Sequence, residues 1–277
     1  MLEEKELKKI SGRIRATCVK MAFNAKESHL SSALSCVEIL TVLFGKFLNY
    51  CDGGKSCSTQ RDRFIMSKGH GCSALYAAMA AFGIISPESL KEYSHTDSAL
   101  PNHPCKHALS YLEISSGSLG HGLGIAGGIL YGLRLSNNIK SRAVVLMSDG
   151  ECNEGSVWEA AMFASAQKLT NLLAVVDNNG SQAVGRSDVI TGFTSTEEKF
   201  RSFGWETITV NGNDINALID AFNKFPFSAD KPSAIIANTI TAAGVSFMEK
   251  DQVWFYRSPS KEELDRALRE IGVNPLF

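Results

Sequence analysis

Two short apolar runs in this 277-residue chain end on groups that suit a divalent cation. The first, residues 142–147, leads into Ser148, Asp149 and Gly150, with further acids at Glu151 and Glu154. The second, residues 172–177, closes on Asp177 and continues as Asn178, Asn179 and Gly180. A carboxylate, an amide oxygen and a backbone carbonyl make a hard oxygen set of the kind Mg²⁺ or Ca²⁺ takes, and Mg²⁺ usually completes its shell with phosphate oxygens and water. Gly150 permits a tight turn in which backbone N–H groups approach an anion. A helix starting near Gly155 would add its positive end. Each segment alone also has a plainer reading, Asp149 as a helix cap and Asn-Gly as an ordinary turn. Thirty residues apart, with each group at the end of a strand, the pair is more specific than either half.

The elements that must position these groups alternate along the chain. Helices are expected over 3–24, 35–47, 71–82, 121–136, 155–169, 196–203, 214–224 and 261–271. Strands are expected over 63–67, 142–147, 172–177, 205–210 and 233–238, and a looser stretch, 84–115, carries several histidines. The strands are short continuous apolar runs, as in sheets covered on both faces. This alternation predicts an α/β fold, a doubly wound, mainly parallel sheet with helices on both faces, in a single domain over 1–277. Ligands of such sheets bind outside the carboxyl ends of the strands, where Asp149 and Asn179 fall.

Composition narrows the function classes. A net charge of −1 gives no electrostatic case for nucleic acid or an anionic membrane surface. No apolar run approaches the roughly 18 residues needed to span a bilayer, and the opening MLEEKELKKI lacks the apolar region of a signal peptide. The seven cysteines are odd in number and scattered, which reads as reduced thiols in the cytoplasm. Cys51 and Cys57 flank a Gly-Gly loop and are read as loop thiols.

The stretch SDGECNEGSVWEAAMFASAQKLTNLLAVVDNNG (148–180) resembles the thiamine-diphosphate motif, an acidic turn followed about thirty residues later by Asn, in its transketolase form. The resemblance implies metal ligation by the side chains of Asp149 and Asn179 and by the carbonyl of Ser181. It also implies a diphosphate contact from the Gly150 N–H, and a subunit-interface glutamate at Glu154 that links two active sites. Ser148 stands where the family usually has glycine. MSKGHGCSALYA (66–77) resembles the family's Gly-His-Gly segment, which implies His70 at the diphosphate. SSGSLGHGLGIAGG (115–128) resembles its cofactor-wrapping glycine loop, which implies Gly117, Ser118 and Leu119 against the cofactor. KESHLSSALSCVEIL (26–40) and PNHP (101–104) resemble substrate-facing segments, which imply His29 and His103 as the catalytic histidines. Histidine suits proton movement on sugar hydroxyls because its pKa lies near neutrality.

Two departures stand out. The family carries a histidine after the tryptophan of VWFYRSP; here that residue is Phe255. His121 stands where the common form has glutamine. Two motif-like patterns are set aside. Gly122, Gly124 and Gly127 satisfy a dinucleotide fingerprint, but no strand immediately precedes them. His103, Cys105 and His107 lie on an irregular segment, where three ligands spaced by two rarely converge on a metal.

The resemblance implies thiamine diphosphate with Mg²⁺ (or Ca²⁺), and small sugar substrates exchanging a two-carbon ketol unit. In the family, a glutamate against the aminopyrimidine ring comes from a second α/β domain further along the chain, whereas this sequence stops at Phe277. The expectation is the amino-terminal subunit of a split transketolase, or a truncation of a longer one. A carboxy-terminal, pyrimidine-binding partner would complete it, in a heterotetramer of two copies of each. The competing expectations are a subunit of another thiamine-diphosphate enzyme, a 2-oxoacid dehydrogenase or an acyloin-forming enzyme, and a cofactor-binding subunit that has lost catalysis.

Overall fold

The computed structural model describes residues 2–50, 61–192 and 194–277. Cys51 and Cys57 lie outside the described residues. Five strands form the central sheet: β1 (Arg63–Met66), β2 (Ala143–Ser148), β3 (Leu172–Asn178), β6 (Glu206–Asn211) and β7 (Ser233–Asn238). Their order is β1-β2-β3-β7-β6, and every pairing is parallel. A two-stranded antiparallel hairpin, β4 (Ser181–Gln182) with β5 (Gly185–Arg186), follows β3 directly.

The apolar runs are continuous because the two sheet faces meet separate cores. Val144, Leu146, Leu173, Val175 and Ile235 point into one core. It is closed by α1 (Glu4–Ala25), α2 (Leu30–Ser35), α3 (Val37–Val42), α4 (Cys72–Ala81), α9 (Ile215–Asn223) and α10 (Lys261–Ile271). Their neighbours in sequence, Val145, Met147, Ala174, Val176 and Ile236, point into the other core. That core is closed by α5 (Gly122–Leu135), α6 (Gly155–Ala166) and α8 (Thr196–Ser202). The short helix α7 (Ser187–Ile190) follows the hairpin. Local chemistry sets several helix ends. Ser260 and Glu263 form a capping box at the start of α10, and Gly272, with φ 73°, ends it in the left-handed conformation.

Three elements differ from expectation. The helix expected over 35–47 begins at Leu30, breaks at Cys36 and finishes in a π-turn over Leu43–Phe47. Its first segment, Leu30–Ser35, holds Ser31, Ser32 and Ser35, all buried, so the polar residues give no amphipathic signal. A 3₁₀ turn over Gly69–Gly71 delays α4 to Cys72. The hairpin after β3 is too short to carry a period. Gly122, Gly124 and Gly127 lie within α5, so they form no strand-to-helix loop.

Candidate active site

The strand ends build the acid corner of the site. β2 and β3 are neighbours with Ser148 opposite Asp177, and the Asp149 N–H donates to the Asp177 carbonyl at 3.2 Å. Asp149 and Asn179 therefore emerge side by side from adjacent parallel strands. The hairpin then folds back over Asp149. The Ser187 hydroxyl donates to Asp149 Oδ2 at 2.6 Å, and the Ser187 N–H donates to the Gly180 carbonyl at 3.0 Å. Asp149 is 8% exposed, and its Oδ1 is buried without a hydrogen-bond partner. Burial pushes the carboxyl up to about 6, against the hydrogen bond from Ser187. A cation would offset that cost, since a nearby positive charge favours the ionised form.

Asn179 Oδ1 accepts the Ser181 N–H at 2.9 Å, which leaves a second lone pair. Asp149 borders a cleft with Asn178 and Ser187, while Asn179 and Ser181 border a second cleft; Gly180 and Arg186 line both. The hairpin thus separates the carboxylate from the amide side, and of the Asp149 and Asn179 side chains only Asp149 presents an unpaired buried oxygen. Among the described residues no three His, Cys, Asp or Glu side chains lie where they could hold a metal together. The donor set is one carboxylate with an amide and a carbonyl, as hard oxygen sites allow. Gly150 lies beneath Gln182, whose Cγ would be 2.9 Å from a Cβ placed there.

A buried ion pair, absent from the sequence reading, underlies this corner. Lys68 and Asp177 are both 0% exposed and paired. Lys68 Nζ also donates to the Ser32 carbonyl at 2.9 Å, while Asp177 accepts from the Ser35 hydroxyl at 2.5 Å and from Thr239 Oγ1. Burial draws the Lys68 ammonium down, but Asp177 and its neighbours hold it above its ordinary value. A lysine and an aspartate at the ends of apolar strands are the only signal the sequence offered.

The second part of the site is a cluster of histidines. The rings of His29 and His70 are 6.0 Å apart and those of His29 and His103 5.8 Å. His29 enters α2 with φ 65°, and its Nδ1 lies 2.9 Å from the Ser28 hydroxyl. Burial lowers the pKa of all three, His70 furthest, and Lys68 adds to the effect at His70. All three imidazoles are therefore neutral at pH 7 and can accept or relay a proton.

The glycine loop passes between these parts. A Cβ on Gly69 would lie 3.0 Å from Gly117 N, and one on Gly117 3.3 Å from His103 Cδ2. Ser118 is exposed and Leu119 half-buried on the same loop. Glu154 is exposed at the start of α6, with its Cβ 2.7 Å from a Cβ placed on Gly120. Phe255 is 5% exposed and belongs to neither apolar core, and its carbonyl accepts the His29 N–H at 3.2 Å. Next to it, Tyr256 Oη donates to the Ala183 carbonyl, tying this segment to the hairpin.

The model of the transketolase thiamine diphosphate binding domain matches residues 7–276. One of the subunits of the apulose-4-phosphate transketolase of Actinobacillus succinogenes is 38% identical over 267 residues, covering 96% of this chain and 96% of that one. The subunit of the same name from Phocaeicola vulgatus is 34% identical, covering 95% and 92%. The crystal structure of transketolase from Campylobacter jejuni superposes with a TM-score of 0.89 at 26% identity, over 100% of this chain and 44% of that one. The chain thus spans less than half the length of the transketolases of solved structure that it matches.

Proposed function

The chain belongs to the transketolase family, as a thiamine diphosphate binding domain, and on that premise we propose that it is the diphosphate-binding subunit of a two-component transketolase. It transfers a two-carbon ketol unit from a ketose to an aldose and works only with a pyrimidine-binding partner, as a heterotetramer of two copies of each. Relatives named as one subunit of a transketolase, alike over nearly their whole length, support the partner. Their names make apulose 4-phosphate the first donor to test.

When bound, thiamine diphosphate supplies the electron sink that ketol cleavage needs. The chain's own residues bind and move protons. Asp149, Asn179 and the Ser181 carbonyl hold Mg²⁺ (or Ca²⁺). The Gly150 N–H, His70 and the loop residues Gly117, Ser118 and Leu119 hold the diphosphate. His29 and His103, neutral and half-buried, take and return protons on the sugar hydroxyls. Glu154 faces the partner. The observation that carries this reading is the buried, unpaired Asp149 oxygen at the end of a parallel strand.

The test is a ketol-transfer assay with Mg²⁺ and thiamine diphosphate, on the chain alone and with the subunit that copurifies with it. Transfer by the pair but not by the chain is expected. Robust transfer by the chain alone would overturn the two-component reading, and failure of the pair to bind thiamine diphosphate would overturn the function. Phe255, buried against the His29 backbone, supports a second reading, a cofactor-binding subunit without catalysis. Turnover by the wild-type pair excludes that reading. Activity that arises only in Phe255→His would favour it.

A further inference from the structure

The glycine loop is anchored by a buried acid that the proposed chemistry does not use. We propose that Glu151, acting directly and through Ser67, is the positioning residue that sets the register in which residues 117–119 meet a diphosphate. This rests on the function proposed above and adds a residue to it.

Glu151 is 0% exposed, in the 3₁₀ turn Gly150–Asn153 that follows β2. Its Oε1 accepts the Gly120 N–H at 2.8 Å and the Ser67 hydroxyl. Ser67 Oγ in turn accepts the Gly122 N–H at 3.1 Å. The amides of Gly120 in the loop and of Gly122 at the start of α5 therefore converge on one carboxylate oxygen, one directly and one through a hydroxyl. Both anchors are rigid. The Ser67 N–H donates to the Leu146 carbonyl at 2.9 Å, and the Glu151 N–H donates to Ser148 Oγ at 3.1 Å, so both are tied to the end of β2.

The other side of the loop is held as well, by the Ser156 hydroxyl on the Gly120 carbonyl at 2.9 Å. The loop has no room to slide. A Cβ on Gly122 would lie 2.3 Å from Ser67 Oγ, and one on Gly120, with φ 85°, 2.5 Å from Ser156 Oγ. The second carboxyl oxygen, Oε2, is buried with no hydrogen-bond partner. Burying a half-satisfied acid opposes folding, so the arrangement is poorly explained as a stabilising device. It is well explained by the loop it holds. Gly117 lies three residues before Gly120, against His103, so a shift at Gly120 is passed to the candidate site.

The test titrates thiamine diphosphate, at saturating Mg²⁺, into the complex of the full chain with the subunit that copurifies with it, the chain being wild type, Glu151→Ala, Glu151→Gln or Ser67→Ala. Tryptophan fluorescence reads binding, and thermal melts are run on the same samples. Glu151→Ala is expected to weaken binding at least tenfold, about 1.4 kcal/mol, and Ser67→Ala by a smaller factor. Glu151→Gln is expected within threefold of wild type, because its carbonyl keeps both bonds and its amide replaces an oxygen that has none. A merely structural residue would lower the melting temperature and leave affinity unchanged. Wild-type affinity in Glu151→Ala, or Glu151→Gln as weak as Glu151→Ala, would overturn the proposal. If Glu151→Ala fails to fold, wild-type affinity in Ser67→Ala overturns it instead. Absence of binding in the wild type would overturn the underlying function. Amide exchange without cofactor would then decide the loop assignment, with unchanged protection of Gly120 and Gly122 in Ser67→Ala counting against it.

Discussion

The acid corner and the histidine cluster share one edge of the sheet but are built on opposite principles. The acid corner is made of charges at the ends of adjacent strands, held by register, with Lys68 and Asp177 fully buried and paired. The histidine cluster is made of rings from separated segments, a helix entry, a 3₁₀ turn and an irregular stretch, tilted 44° and 77° to one another. Burial keeps these rings uncharged. The contrast has a physical basis. Holding a cation and a polyanion requires fixed countercharges that do not reorganise, whereas moving protons requires groups that are neutral and reachable.

The comparison breaks most visibly at the buried ion pair. Lys68→Met leaves Asp177 buried without its cation and is expected to cost about 3–5 kcal/mol in urea unfolding. Adding Asp177→Asn should recover part of this, and a loss under about 1 kcal/mol in the single variant would show that the corner is not held by charge. Next in size, Asp149→Asn should weaken Mg²⁺-dependent thiamine diphosphate binding about a hundredfold, roughly 2.7 kcal/mol. Its melting temperature should be held or raised, because the carboxyl it replaces resists ionisation. Calorimetric titration and thermal melts check both.

On the histidine side the expected effects are smaller. Ser28→Ala removes the hydroxyl at His29 Nδ1 and should lower kcat of the complex by about two- to tenfold, the worth of one hydrogen bond, with KM little changed. The smallest effect at neutral pH concerns His70. Its pKa falls on folding, so the stability it contributes is present above about pH 6.5 and is lost as pH falls through the lowered value. His70→Asn should leave stability at about pH 7.5 nearly unchanged and flatten its decline as pH falls below about 6.5. An unchanged slope in denaturant melts across that range would show that the ring is not withdrawn from charge.

Much of the acid corner was legible because its signals are local. The runs ending at Ser148 and Asp177 are apolar on both faces and stop at turn residues, so the strands and the Asp149–Asn179 pair could be read directly. The histidine cluster was legible only through resemblance, since nothing in the spacing of His29, His70 and His103 brings their rings together. Ser187 on Asp149 had no signal at all, because a serine two residues beyond a glycine in a polar stretch is ordinary. Glu151 stood among several acids, and only its burial against Ser67 and Gly120 sets it apart from Glu154, which is exposed.

The amino-acid sequence by itself determined the strands, most of the helices and the placement of Asp149 and Asn179 just past strand ends, because apolar periodicity and turn chemistry act over a few residues. Tertiary structure alone decided the strand order β1-β2-β3-β7-β6, the union of Lys68 with Asp177 across 109 residues, and the union of Ser67 with Glu151 across 84. Such pairings form only when distant strand ends are brought to one edge and water is excluded from between them, and no short-range preference specifies either condition.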